Sequence, residues 1–410
     1  MRHLRLRAIA LTVVIFVAVV VVDTARKHSS APQAGPQREL KVPSPASASA
    51  PATPLPTSPA ATATPPPPVA PTLAPAPAGP CSGHPCCAPV LGNRTAFAFQ
   101  IFGPPSRVRL EHLSATAHAL RSHNPGATVI VLIGAQWSPD DAAALGALGP
   151  DTLLLRVPTI TARSCAGAVR TSAGSTYGSA AYFAETFNRL WLWELVQFEA
   201  IMYLDFDVLV RGDLQHVLRE FFAGREYRLG GSLTRNDYCG PGMSRGAKIP
   251  INGGVTLLKP EPALLRRMAL FMGEGRFSCG AAGGDAADQG LVNAFFWGPR
   301  YAGDYFMCVP PEYNCRTYDL PKCVDGAIVV HWAGSLKPWS GAPVTPEEVS
   351  MAERVRGAGG DESWRRHEVL RAAWNLTLDD WRAHVVRRRA DADSCWAPVL
   401  NFTPPVLDFG

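Results

Sequence analysis

The chain has 410 residues, a net charge of +5 and a hydrophobic fraction of 47%. That charge is mild, its arginines gather at the two ends of the chain (mainly Arg2–Arg7 and Arg382–Arg389), and no DNA- or RNA-binding motif is present, all of which speaks against nucleic acid as the partner. The apolar content suits a globular body, but residues 1–90 differ from the rest, which leaves the length of one large domain or two small ones.

The N-terminus carries Arg2, Arg5 and Arg7 ahead of an apolar run from Ala8 to Val22. The run is shorter than the roughly 20 residues of a typical spanning helix. A cleaved signal and an uncleaved anchor both fit. The sequence Asp23-Thr24-Ala25-Arg26 makes a poor cleavage site, which favours a transmembrane signal anchor over 8–22 with residues 1–7 as a cytoplasmic tail. Residues 23–90 then form a stem rich in Pro, Ala, Ser and Thr, as in Thr62-Ala63-Thr64 followed by Pro65–Pro68. Such a segment cannot bury enough apolar surface to fold and serves as an extended spacer. The expected location is the Golgi membrane, single-pass type II with the body in the lumen; secretion is the alternative. All ten cysteines follow the apolar run, and an even count in an oxidising compartment implies disulfides. Cys81, His84, Cys86 and Cys87 are too cramped to favour zinc over bridges. Asn93-Arg94-Thr95 and Asn375-Leu376-Thr377 are glycosylation acceptors if that side is lumenal.

Beyond the stem, the pattern predicts strands at Ala96–Phe102, Ala127–Ile133, Thr152–Val157, Ile201–Asp205, Leu229–Leu233, Gly254–Leu258 and Ala327–His331. Helices are expected at Val108–Ser122, Ala180–Phe198, Leu214–Phe222, Pro260–Phe271 and Gln289–Phe296. Their alternation means an α/β domain with a largely parallel sheet over 91–340. Trp364, Trp374 and Trp381 are expected to pack a helical extension over 341–410, and Trp191 and Trp193 to be core. In parallel sheets ligands bind beyond the carboxyl ends of strands, which is where Asp205 and His331 fall.

The stretch Tyr203-Leu204-Asp205-Phe206-Asp207-Val208-Leu209-Val210 delivers two carboxylates, one residue apart, to the end of an apolar run. Alternate residues of an extended segment point the same way. The two carboxylates repel each other unless a divalent cation joins them. Further along come Ile251-Asn252-Gly253-Gly254-Val255, then Gly284-Asp285-Ala286-Ala287-Asp288-Gln289-Gly290, and finally His331-Trp332-Ala333-Gly334-Ser335-Leu336-Lys337-Pro338-Trp339. Taken in order, with Phe187-Asn188-Arg189-Leu190-Trp191-Leu192-Trp193 ahead of them, these motifs resemble glycosyltransferase family 8, the family of glycogenin and related plant sugar transferases. The resemblance spans roughly residues 95–340.

It implies one nucleotide-diphospho-sugar transferase domain of the GT-A type, Rossmann-like with a mostly parallel central sheet. It also implies Mn2+, a UDP-sugar donor carrying a hexose or hexuronic acid, a glycan, glycoprotein or glycolipid acceptor, and retention at the anomeric carbon. Carried over residue by residue, it makes Asp205, Asp207 and His331 the metal ligands. Lys337, Gly334, Asn252, Gly253 and Arg189 fall at the donor, with Asp288 and Gln289 near the anomeric carbon. The chemistry is coherent: departure of a diphosphate builds negative charge, which a metal neutralises. An O,O,N donor set suits Mn2+ better than Ca2+. Lys337 adds a point charge for phosphate, Gly334 permits close backbone approach, and Asn252 offers donor and acceptor to hydroxyls.

Retention allows either double displacement through Asp288 or same-face attack, with the departing phosphate taking the acceptor's proton. The chain departs from the family in three places. Arg189 stands where Lys is common, Phe206 stands where the middle residue is often small, and Phe97-Ala98-Phe99-Gln100 matches the uridine-binding strand only loosely. Two other classes compete. One is a phosphatase of the haloacid-dehalogenase type with Asp205 as nucleophile; the other is a catalytically inactive lumenal binding protein of the same fold.

Overall fold

The computed structural model describes residues 94–138, 152–160, 185–224, 227–233, 250–274, 288–296, 306–317, 323–334, 336–339, 364–383 and 399–401, with isolated positions at 141, 145, 148 and 277. All belong to one compact unit, Thr72–Gly410. The expected anchor at 8–22, the stem at 23–90, the Cys81–Cys87 cluster, Asn93, Asp285, Ser335 and the basic run Arg387–Arg389 lie outside the described residues. Among those described, no helix is long and apolar enough to cross a membrane.

The main sheet has eight strands in the order β11-β3-β2-β1-β4-β7-β6-β8. In chain order these are β1 (Thr95–Gln100), β2 (Val129–Gly134), β3 (Thr152–Val157), β4 (Ala200–Leu204), β6 (Leu229–Leu233), β7 (Ile251–Leu258), β8 (Phe306–Cys308) and β11 (Val399–Asn401). Only β7 runs against its neighbours, β4 and β6; every other pair is parallel. The fold is thus α/β with a mostly parallel central sheet.

The alternation along β1 shows why the sheet is buried on both sides. Ala96 and Ala98 face one apolar cluster with Trp193, Leu265 and Phe295, whereas Phe97 and Phe99 face another with Leu113, Leu120 and Phe221. Two-sided burial is what near-continuous apolar strands such as Val129–Gly134 require. Helices α1 (Arg107–His123) and α2 (Gln215–Ala223) cover the second face; α3 (Pro262–Gly273) and α4 (Asp288–Phe296) cover the first. Helix α1 starts where Ser106 accepts the Arg109 amide at 3.3 Å, and α3 starts at Pro262, whose missing N–H costs nothing there.

A second, three-stranded sheet has the order β5-β10-β9, with β5 at Val208–Val210, β9 at Cys315–Arg316 and β10 at Val329–His331. It is covered by α1 and by helix α5 (364–383) through Ala119, Leu209, Val330, Trp332, Leu370 and Trp374. A disulfide joins Cys315 to Cys323, and Cys308 is also disulfide-bonded.

Most expected elements appear within a few residues of their predicted bounds. The helical spacing read over Ala180–Phe198 is a 3-10 helix at Phe187–Glu194, with 161–184 outside the described residues. Trp191 and Trp193 are buried, as core residues should be. Strands β5, β8, β9 and β11 were not anticipated. Each has three residues or fewer, too few for a period-two pattern to show. Strand β11 places part of the C-terminal extension in the main sheet, parallel to β3.

Candidate functional site

The site forms where the two sheets are joined by three residues. Strand β4 ends at Leu204 in the large sheet, and β5 begins at Val208 in the small one. Asp205-Phe206-Asp207 is the whole link. The two carboxylates therefore converge through a turn, not along one extended strand as the sequence suggested. Backbone pairing fixes each end. The Asp205 amide donates to the Gly254 carbonyl of β7 at 2.9 Å, and the Trp332 amide donates to the Asp207 carbonyl at 3.1 Å. In the antiparallel β5–β10 pair His331 stands opposite Val208, so its ring arrives beside Asp207.

The result is a cluster of Asp205, Asp207 and His331 whose candidate ligand atoms lie within 4.8 Å of one another. His331 Nε2 is 3.7 Å from Asp205 Oδ2 and 3.6 Å from Asp207 Oδ1. Two donors bound about 2.1 Å from one divalent ion can be separated by at most about 4.2 Å, and both His331 contacts fall inside that limit. Asp207 Oδ1 is buried and, among the described residues, accepts no hydrogen bond. A buried oxygen of that kind calls for a partner. The three residues could therefore hold a divalent cation.

The electrostatics agree. Burial, reinforced by the neighbouring Asp207, pushes the Asp205 carboxyl up from its usual range, against the pull of His331 and Arg189. Burial acts the same way on Asp207, but Lys337 and His331 overcome it and hold that carboxyl down. Burial keeps the His331 imidazole below its ordinary range despite the two carboxylates, which favours a neutral ring. Tyr203 donates its hydroxyl to Asp205 Oδ1 at 2.8 Å. Lys337 Nζ donates to Asp207 Oδ2 and, at 2.9 Å, to the Trp332 carbonyl. Gly334 sits between them at φ +105, in the region that favours glycine.

The remaining predicted residues assemble one layer behind. Arg189, from the 3-10 helix, pairs with Asp288 and donates to the Gly253 carbonyl at 2.8 Å. Its guanidinium also lies 4.0 Å from Asp205 Oδ1 and over the Tyr203 ring at 4.9 Å. Gln289 Oε1 accepts the Gly253 amide. A Cβ at Gly253 would come within 2.6 Å of Arg189 Nη2, and one at Gly254 would meet the His331 ring. Gly253 and Gly254 are thus bare because the Arg189 and His331 side chains lie across them. Asp288 is the first residue of α4 and is 1% exposed.

Asn252 turns its oxygen inward. Oδ1 accepts from the Gly254 amide at 3.1 Å and from Asn314 Nδ2 at 3.0 Å. Asn314 Oδ1 in turn meets His331 Nδ1 at 2.9 Å. Sequence reasoning missed Asn314. It lies in the 3-10 turn Pro311–Asn314, and no local pattern marks what it will touch. Phe206 and Trp339 also meet there, ring planes 6° apart and centroids 5.8 Å apart, with His112 stacked on Trp339 at 4.2 Å.

No family model matches the chain, and no curated protein matches it. Among solved structures, the galactosyltransferase LgtC in complex with donor and acceptor sugar analogues is 18% identical, covering 66% of this chain and 99% of its own, with a TM-score of 0.42. Apo GlyE, a glycosyltransferase of Streptococcus pneumoniae TIGR4, is 15% identical over 74% of this chain and 65% of its own, with a TM-score of 0.42. Mouse xyloside xylosyltransferase 1 is 12% identical over 58% of this chain and 97% of its own, with a TM-score of 0.36. These neighbours are glycosyltransferases; at such identities and TM-scores, the chemistry here rests on the site itself.

Proposed function

We propose that this chain is a retaining, Mn2+-dependent glycosyltransferase that moves a hexose or hexuronic acid from a UDP-sugar to a glycan, glycoprotein or glycolipid acceptor. The carrying observation is the convergence of the Asp205–Asp207 pair with His331, from two stretches more than 120 residues apart in the chain, with Lys337 on Asp207. Two carboxylate oxygens and one imidazole nitrogen support Mn2+ among the hard cations. A cation bound there supplies positive charge to a diphosphate leaving group.

The chain's own groups do the rest. Lys337 exchanges Asp207 for a phosphate oxygen of the donor as a mobile point charge. The turn at Gly334 lets the backbone around it approach the diphosphate. Arg189 clamps Asp288 to the Gly253 backbone, and Gln289 holds the same glycine from α4, so that layer positions the sugar. The pairing of Asp288 supports same-face attack. A buried carboxylate held by a guanidinium is a poor nucleophile. In that route the acceptor oxygen bonds to the anomeric carbon as the bond to phosphate breaks, and the acceptor proton passes to the departing phosphate. A phosphatase with Asp205 as nucleophile would leave His331 without a part.

The test is UDP release from UDP-glucose, UDP-galactose, UDP-glucuronate and UDP-xylose with and without Mn2+. Mn2+-dependent release from one of them is expected. Mg2+-dependent cleavage of a phosphate monoester would instead favour the phosphatase, and a folded protein inert to both would leave only a binding role. We further propose that residues 8–22 anchor the body in the Golgi lumen. Protease protection of the catalytic body in sealed Golgi vesicles would bear this out, and digestion without detergent would refute it.

A further inference from the structure

The hydrogen bonds behind His331 form a chain whose polarity a single backbone amide dictates. Heavy-atom positions alone leave amide flips and histidine tautomers open. Here they do not, because the chain begins at the Gly254 N–H, which can only donate. The Asn252 atom facing it at 3.1 Å must therefore be oxygen. The Asn314 atom facing that same oxygen at 3.0 Å must be its NH2 group. The other Asn314 atom is then oxygen, and it lies 2.9 Å from His331 Nδ1. An acceptor there requires a proton on Nδ1. In a neutral ring the lone pair is left on Nε2, which faces Asp205 and Asp207 at 3.7 and 3.6 Å.

We infer that Asn314 and Asn252 are positioning residues that hold His331 in its Nδ1–H form and aim Nε2 at the acidic pair, preparing the site for a divalent cation. The inference deepens the transferase reading and rests on it for the metal. The surroundings suit the task. Asn314 is 2% exposed and His331 3%, so water does not compete for either. Asn314 immediately precedes Cys315, which is tied to Cys323 and pairs with Val330 in the β9–β10 register. The ring itself lies across Gly254, the residue whose amide starts the relay, so one glycine sets both the position and the tautomer of the histidine. Partners of this kind behind a metal ligand typically change metal affinity 10–100-fold when lost.

The experiment uses the full-length chain and two readouts. Histidine nitrogen NMR, with His331→Gln for assignment, should show the Nδ1–H form of His331 without added metal. Mn2+ titration followed by the EPR signal of the free ion should give an affinity about 10–100-fold weaker in Asn314→Leu. Asn252→Leu should weaken it as well. Asn252→Asp, whose carboxylate still accepts from both donors, should escape that loss of about 10–100-fold. An Nε2–H signature for His331 in the wild type would overturn the relay even if Asn314→Leu failed to fold. Undiminished Mn2+ binding by a folded Asn314→Leu would overturn its positioning role. Wild type that keeps the Nδ1–H signature yet takes up no Mn2+ would instead sink the transferase reading and leave the tautomer assignment standing.

Discussion

The two sheets divide the labour of the molecule. The eight-stranded sheet is built from strands such as Thr152–Val157 and Ile251–Leu258, long enough to bury apolar side chains on two faces. The three-stranded sheet is made of pieces of three, two and three residues drawn from chain positions near 209, 316 and 330. Strands this short do not hold themselves together. They depend on a disulfide, on the cover of α1 and α5, and on the backbone bonds that splice them to the large sheet. What they provide is His331, delivered next to Asp207. The larger apolar core belongs to one sheet, and the proposed chemistry lies at its seam with the other.

That contrast can be broken in several ways. The largest effect should come from Asp207→Ala, which removes a proposed ligand at the seam. Turnover of a UDP-sugar should fall by about a thousandfold or more, while thermal unfolding without added metal shifts little. Activity within tenfold of wild type would defeat the metal assignment. Gly254→Ala attacks the seam from the large-sheet side. The new methyl meets the His331 ring, so Mn2+ affinity by EPR should drop about 10–100-fold.

Phe97→Ala in β1 should do the opposite. Its ring is buried in the large sheet, so unfolding in urea should lose about 3–5 kcal/mol with Mn2+ affinity unchanged; a matching loss of affinity would show that the regions are not separable.

Acid should discriminate the regions more gently. His112, stacked on Trp339, and His367, stacked on Trp364, are both held down to about 4 by burial. Glu111 opposes the effect and Arg382 adds to it at His112, while Arg371 adds to it at His367. The unfolded rings take protons near pH 6.5, so the neutral folded rings contribute fully above that pH. The contribution is lost as pH falls from about 6.5 towards 4, by about 2–3 kcal/mol per ring. Melts followed between pH 7.5 and 4.5 should show the α5 tryptophans loosening first. The smallest effect should be that of Lys337→Met. It frees Asp207 of a competing cation, so affinity for Mn2+ alone should rise a few fold while UDP-sugar affinity falls; unchanged donor affinity would count against the phosphate role of this lysine.

The same contrast explains what could be read from the sequence. Ile201–Leu204 and Ile328–Val330 are apolar runs that stop at polar residues, so Asp205 and His331 announced themselves locally. Asn252-Gly253-Gly254 stood out because consecutive glycines at a strand start are unusual, although the side chains that demand them, a guanidinium and an imidazole, come from residues 189 and 331. Asn314 and the strands β5 and β9 stayed hidden. Their identity is set by partners far away in the chain, and two or three residues carry no periodicity. The ordinary look of Pro310-Pro311-Glu312-Tyr313-Asn314 gives no hint that its last side chain orients a histidine.

Asp205 directly follows a central strand of one sheet, and His331 ends the central strand of the other. Any ion gripping both acts as a rivet through two plates already joined by a three-residue strap, a shared apolar cluster and the Asn252–Asn314 hydrogen bond. Loading the site should therefore stiffen the molecule as a whole, and hydrogen exchange in β5 and β10 should slow when Mn2+ is added, well before any sugar is moved.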